Sequence, residues 1–155
     1  MRNYFITLAC TSLIAISLPL HAEMLAKEAI PEKIISLLLK RHPEAYDIGA
    51  EQKTHFKQNL YEVLFKEGES KQIELFRADG HFFTNAEKMD SLGEMPATAR
   101  ENLTAELGKY ELVESFLIAN PNGIGEEYDL VVNATGVIWH ITVDSKGNIS
   151  KKDKQ

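Results

Sequence analysis

A chain of 155 residues has room for one domain, or for two small halves that share a core. Apolar residues make up 44% and charged residues 26%, a globular composition that argues against disorder. With 23 Asp+Glu against 17 Lys+Arg, the net charge of −6 argues against a nucleic-acid groove, and a single cysteine excludes an intramolecular disulfide framework or a multi-cysteine zinc site.

In chain order, residues 1–22 read as a secretory signal peptide. Arg2 precedes an apolar run from Tyr4 to Leu20, Pro19 breaks the run, and Leu20-His21-Ala22 sets a small residue before the expected cut. An uncleaved anchor is the alternative, but Thr7, Thr11, Ser12 and Ser17 interrupt the run, which falls short of the about 20 residues a spanning helix needs. A lipid on Cys10 would require a cut inside the apolar segment. Cleavage removes Arg2 and Cys10 and leaves an acidic chain with no thiol nucleophile and no transmembrane segment. The expected location is periplasmic or secreted.

Pro31 then opens an amphipathic helix carrying Ile34, Ile35, Leu37, Leu38 and Leu39, closed by Lys40, Arg41 and Pro43. A faint strand is expected around residues 51–56. Tyr61, Val63 and Phe65 alternate with Glu62, Leu64 and Lys66, the period of a strand. Glu67-Gly68-Glu69 turns the chain, Ile73 to Phe76 is β-prone, Asp79-Gly80 signals a hairpin, and Phe82-Phe83 begins the next strand. Pro96 opens a second helix, with Ala99, Leu103 and Leu107 on one face and Gly108 past its end. Strand-like sequence follows from Glu111 to Ala119, then a turn at Asn120-Pro121-Asn122-Gly123. Alternating runs cover Tyr128–Asn133 and Val137–Val143, separated by Thr135-Gly136. After a turn at Ser145–Asn148 comes a short polar edge strand.

Matching elements recur about 65–67 residues apart, from Pro31 to Pro96 and from Tyr61 to Tyr128. The fold expected is α+β, a single domain over residues 23–155 built from tandem helix-plus-antiparallel-strands repeats at about 31–88 and 95–153. These would form one continuous six- to eight-stranded sheet with helices packed on one face.

The first unit is Tyr61-Glu62-Val63, a Gly68 turn, Ile73-Glu74-Leu75-Phe76 and Asp79-Gly80-His81. Its echo is Tyr128-Asp129-Leu130, a Gly136 turn, Ile138-Trp139-His140-Ile141 and Lys146-Gly147-Asn148. With a proline-led helix ahead of each, the pattern resembles the PepSY-like domain of bacterial envelope proteins, a group described as similar in fold to the β-lactamase inhibitory proteins. The resemblance covers nearly the whole mature chain and departs most at Arg77-Ala78, which breaks the hydrophobic phase. It implies a non-enzymatic extracytoplasmic module and does not carry β-lactamase over as the partner.

The catalytic inventory is thin. Gly-x-Ser-x-Gly, Ser-x-x-Lys, His-Glu-x-x-His and calcium-loop patterns are missing, and Asn122-Gly123-Ile124-Gly125 reads as a loop. After cleavage His42, His55, His81 and His140 remain, none at helical i, i+4 spacing from another. No catalytic set, metal site or cofactor is therefore expected. Asp79 is explained by its turn, and Glu126-Glu127 by solvated loop charge.

Alternation locates a candidate binding face. If Tyr128, Leu130, Val132, Val137, Trp139, Ile141 and Val143 face the helices, their neighbours face away. The open face then holds Glu62, Leu64 and Lys66 from the first half. From the second half it takes Asp129, Val131, Ile138, His140 and Thr142, alongside Asn133. Two short helices cannot cover both faces of such a sheet, and mixed apolar and polar surface suits recognition of a protein or peptide partner. An ordinary solvated face is the plain alternative. The expected function is an exported, non-enzymatic binding or inhibitor-type module. A structural accessory in envelope assembly is the alternative, and a small metal-dependent enzyme has no visible ligand set.

Overall fold

Short turns join most neighbouring strands of the sheet, and the two helices interrupt the chain between β1 and β2 and between β5 and β6. The computed structural model describes residues 24–154, so the expected export signal and Cys10 lie outside the described residues. The strands are β1 (Leu25–Ala26), β2 (Tyr46–His55), β3 (Gln58–Glu67), β4 (Ser70–Arg77), β5 (Phe82–Lys88), β6 (Tyr110–Ala119), β7 (Glu126–Ala134), β8 (Val137–Asp144) and β9 (Ile149–Lys154). Helix α1 (Glu32–Arg41) lies between β1 and β2, and α2 (Ala97–Leu107) between β5 and β6.

Among the described residues, nine strands form one antiparallel meander in sequence order. This corrects the expected tandem helix-plus-strands repeats in a six- to eight-stranded sheet. The chain through α2 returns to the neighbouring position, pairing Ala86, Glu87 and Lys88 with Ile118, Leu117 and Phe116, so no boundary divides the sheet into units. The helices, of 10 and 11 residues, are minor attachments to that sheet. Among the described residues no helix is long and apolar enough to cross a membrane.

Both helices dock on one face. Ile34 and Leu38 of α1 are fully buried one turn apart and join Ala50, Val63, Phe65 and Phe76. Ala99 and Leu103 of α2 do the same against Tyr128, Leu130, Val132, Ile141 and Val143. The start of α2 is also tied to the β8–β9 turn. Thr98 Oγ1 donates to the Lys146 carbonyl at 3.1 Å, and Asn102 Nδ2 to the Gly147 carbonyl at 2.8 Å. Gly147 has φ +87°, and a Cβ there would lie 2.5 Å from Thr98 Oγ1 and 2.6 Å from the Ala99 nitrogen. Gly147→Ala should therefore cost about 1–3 kcal/mol of stability by strain and displacement of α2. A urea midpoint equal to that of the parent would contradict this docking.

The opposite face is concave. β2 and β7 are five strand positions apart, which is about 24 Å in a flat sheet. Yet His55 Nδ1 on β2 lies 2.9 Å from Glu127 Oε2 on β7. Only a curled sheet brings them together. A third apolar cluster fills part of the inner face, built from Leu60, Leu75, Phe83, Phe116 and Ile118. The rest of that face is the site described next.

Candidate functional site: the concave face of the sheet

A concavity of about 350 Å³ opens on the inner face. Six of the eight expected face residues line it: Glu62, Leu64, Asp129, Val131, His140 and Thr142. The other two do not. Lys66 sits at the end of β3, donates to Asp47 Oδ2 at 2.8 Å and lies over the Tyr46 ring. Ile138 pairs with Asn133 beside the β7–β8 turn. Ile73 and Phe116 add apolar wall. At the rim, cations are already paired, Lys71 with Glu114 at 2.5 Å and Lys151 with Asp153 at 2.8 Å.

The floor is charged. Glu62 is only 3% exposed and its two oxygens hold two cations: Lys53 Nζ lies 2.6 Å from Oε1 and His55 Nε2 3.1 Å from Oε2. Lys53 also reaches Glu51 at 3.5 Å and Asp129 Oδ2 at 3.6 Å. Thr142 Oγ1 donates to Asp129 Oδ1 at 2.9 Å. Strand register explains the gathering. Glu51 stands opposite Glu62, Asp129 stands opposite Thr142, and Lys53 and His55 follow Glu51 at the period that keeps one face.

The β2–β3 turn completes the clasp. Phe56 and Lys57 have φ of 51° and 62°, the mirror-image turn that Asn-Gly adopts without strain. The Phe56 N–H donates to Glu127 Oε1 at 2.9 Å, so β7 supports both the strained turn and the neighbouring imidazole.

Burial pulls the His55 pKa down, but hydrogen bonds to Glu127 and Glu62 outweigh it and raise it to about 9. His55 is thus an imidazolium at neutral pH. Burial likewise opposes the charge on Lys53, and Glu62 and Asp129 more than restore it, so the ammonium is held above its ordinary range. Burial would push Glu62 up, and its bond to His55 and the charge of Lys53 reverse this, holding it below the usual carboxylate range. Asp129 goes the other way. Burial and the charge of Glu62 raise it, and Lys53 and His55 only partly offset them.

Ligand atoms of His55, Glu62 and Asp129 lie within 4.8 Å of one another, close enough to share a metal ion. The donor set does not suit one. A metal needs an imidazole lone pair, whereas both His55 nitrogens face carboxylates as donors and the Lys53 ammonium already bridges Glu62 and Asp129.

The sequence reading found the β3, β7 and β8 contributions and missed those of β2. Glu51, Lys53 and His55 alternate at the strand period, but the stretch contains no apolar residue until Phe56. A polar period-two run was the available signal. Glu126-Glu127 is also corrected. Glu127 lies within β7 and clasps His55 and Phe56, where loop charge was expected.

Neither a protein-family model nor a curated relative matches the chain. Solved structures are similar at low identity. A predicted periplasmic protein of Bacteroides eggerthii is 17% identical with a TM-score of 0.50, over 80% of this chain and 88% of that one. A DUF2874 family protein of Bacteroides uniformis is 14% identical with a TM-score of 0.49 over the same shares. A BLIP-like protein of Bacteroides fragilis is 16% identical with a TM-score of 0.45, over 80% and 85%. At such identities the likeness speaks of fold alone. None of these three is described as a PepSY-like domain, which remains a resemblance of the residue pattern.

Proposed function

We propose that the chain is an extracytoplasmic, non-enzymatic binding module of the inhibitor type, and that it receives a segment of a protein partner in its concave face. The observation that carries this reading is the concavity itself. Both helices lie on the other face, and the inner face combines apolar walls with a charged floor, the composition of a recognition surface. The apolar leader pattern of residues 1–22 supports export, as does the fold shared with the B. eggerthii protein.

Capture from envelope extract tests the reading. Val131→Arg would fill the concavity from its wall, whereas Glu101→Arg alters an exposed position on α2. Partners retained by the parent and by Glu101→Arg, and lost with Val131→Arg, are the expected result. The same partners captured by all three proteins would overturn it.

A further inference from the structure

We infer that the outer edge of β2, from Glu51 to His55, docks an extended segment of the protein partner, which adds to the sheet as a further strand. This rests on the reading of the concave face as the binding surface and names how the segment's main chain is held. β1 covers only two positions of that edge, pairing Leu25 with Ala50 and Ala26 with Gly49. Among the described residues no strand continues along positions 51–55, although β2 runs on to His55. The turn fixes which main-chain groups are left over. His55 and Gln58 flank the two-residue turn as its closing hydrogen-bonded pair, so the N–H and C=O groups of Glu51, Lys53 and His55 point to β3. Those of Gln52 and Thr54 point outward, two donors and two acceptors at the spacing a neighbouring strand uses.

This edge is unguarded, unlike the other end of the sheet. Lysines fill three of the six positions of β9, a common defence of an exposed edge. On β2 the exposed side chains are neutral and turned to β3. Gln52 Nε2 donates to the Tyr61 hydroxyl at 2.9 Å, and Thr54 Oγ1 donates to Asn59 Oδ1 at 3.0 Å. Lys53, the lysine of this stretch, is drawn inward to Glu62 at 2.6 Å. Space lies beside the edge as well. A second concavity, of about 450 Å³, has Thr54, Phe56 and Lys57 on one bank and Asp144, Ser150 and Lys151 on the other. Glu51 and Lys53 meet Lys151 and Asp153 in the same way across the first. β2 and β9 therefore face each other across an open trough without pairing, and a strand laid on β2 occupies it. With β9 as the far bank, the trough suits a lone segment better than the sheet of a second copy. The pleat sends alternate side chains of the added strand to the inner face, level with Glu51, Lys53 and His55, and the others outward with Gln52 and Thr54.

Amide hydrogen exchange of the full chain, followed by NMR, is the test. In the free protein, protection at Gln52 and Thr54 should be about tenfold or more below that at Glu51, Lys53 and His55. Acetyl-Thr-Val-Thr-Val-Thr-amide then serves as the probe, with the same peptide N-methylated at all five residues as its control. The expected result is exchange slowed about tenfold or more at Gln52 and Thr54 by the first peptide, no slowing by the second, and no change along β9. Gln52→Pro removes one outward donor and no bond to β3, so the probe should no longer protect Thr54. The N-methylated peptide makes the same deletion from the other side, should that variant not fold. Gln52 and Thr54 already protected in the free chain, equal protection by both peptides, or protection by neither would each overturn the proposal. Protection that rises with protein concentration alone, with a doubled mass in sedimentation, would assign the edge to a second copy and overturn it too. The two levels fail separately. Capture lost with Val131→Arg but no protection of Gln52 and Thr54 removes the docking edge alone, whereas capture unaffected by Val131→Arg removes the binding face.

Discussion

Glu62→Ala is expected to lower folding stability by about 3–5 kcal/mol, because it leaves two buried cations without their shared carboxylate. Glu62 sits 3% exposed between Lys53 and His55, and the side chain of His55 is itself only 1% exposed. Without it the ammonium and the imidazolium face each other in a curled interior with little water to screen them. Glu62→Gln keeps an acceptor and loses the charge, so its cost should be smaller, about 1–3 kcal/mol. The paired replacement Lys53→Met with Glu62→Leu should recover much of the loss, since a buried ion pair exchanged for apolar groups is often neutral or stabilising. Urea denaturation at neutral pH measures all three. A Glu62→Ala protein within experimental error of the parent would contradict the placement of this network in the interior.

The second large effect is on pH. The His55 pKa is raised from 6.5 to about 9 in the folded protein. A raised pKa means that the folded state holds the proton more tightly than the unfolded chain. The resulting stability is fully present below pH 6.5 and is lost as pH rises through about 9. The shift corresponds to about 3 kcal/mol across that window. The groups that face His55 behave differently there. Lys53 stays charged, and the lowered Glu62 contributes stability that is lost only as pH falls through its folded pKa. Asp129 is raised by burial and by the charge of Glu62, and Lys53 and His55 only partly offset this. Stability measured by urea from pH 6 to 10 should therefore fall for the parent and be nearly flat for His55→Gln. Parallel profiles for the two proteins would contradict the assignment.

Local signals in the sequence marked most elements. Pro31 and Pro96 precede α1 and α2, Asp79-Gly80 turns β4 into β5, and Thr135-Gly136 turns β7 into β8. Alternation placed Glu62 and Leu64 on the same face as Asp129 and Val131, because period two is fixed by the pleat. Lys66 and Ile138 are in phase with them but stand at strand ends, away from the concavity, and phase alone carries no position along a strand.

Two features were not legible, for physical reasons. The β2–β3 hairpin turns at Phe56-Lys57, without the Asn or Gly that such a turn favours, so nothing local announced it. The burial of Lys53, His55 and Glu62 comes from the curl that brings β2 against β7, a contact 72 residues long in sequence for His55 and Glu127. Hydrophobic periodicity reports which side chains avoid water, and it is silent on charges that are buried because they neutralise one another. One continuous sheet was expected, but its nine-stranded meander was read as tandem helix-plus-strands repeats for a related reason. The repeat drew attention to the two helices, while the junction rests on three residue pairs between β5 and β6.

Site-directed photocrosslinking tests the central claim most directly. A benzophenone side chain placed at position 140 would sit on the lining of the concavity, and one at position 101 on the exposed surface of α2. In the native compartment, a discrete adduct with one partner is predicted from position 140 and none from position 101. Adducts from position 101 alone, or the same adducts from both positions, would contradict recognition through the concave face.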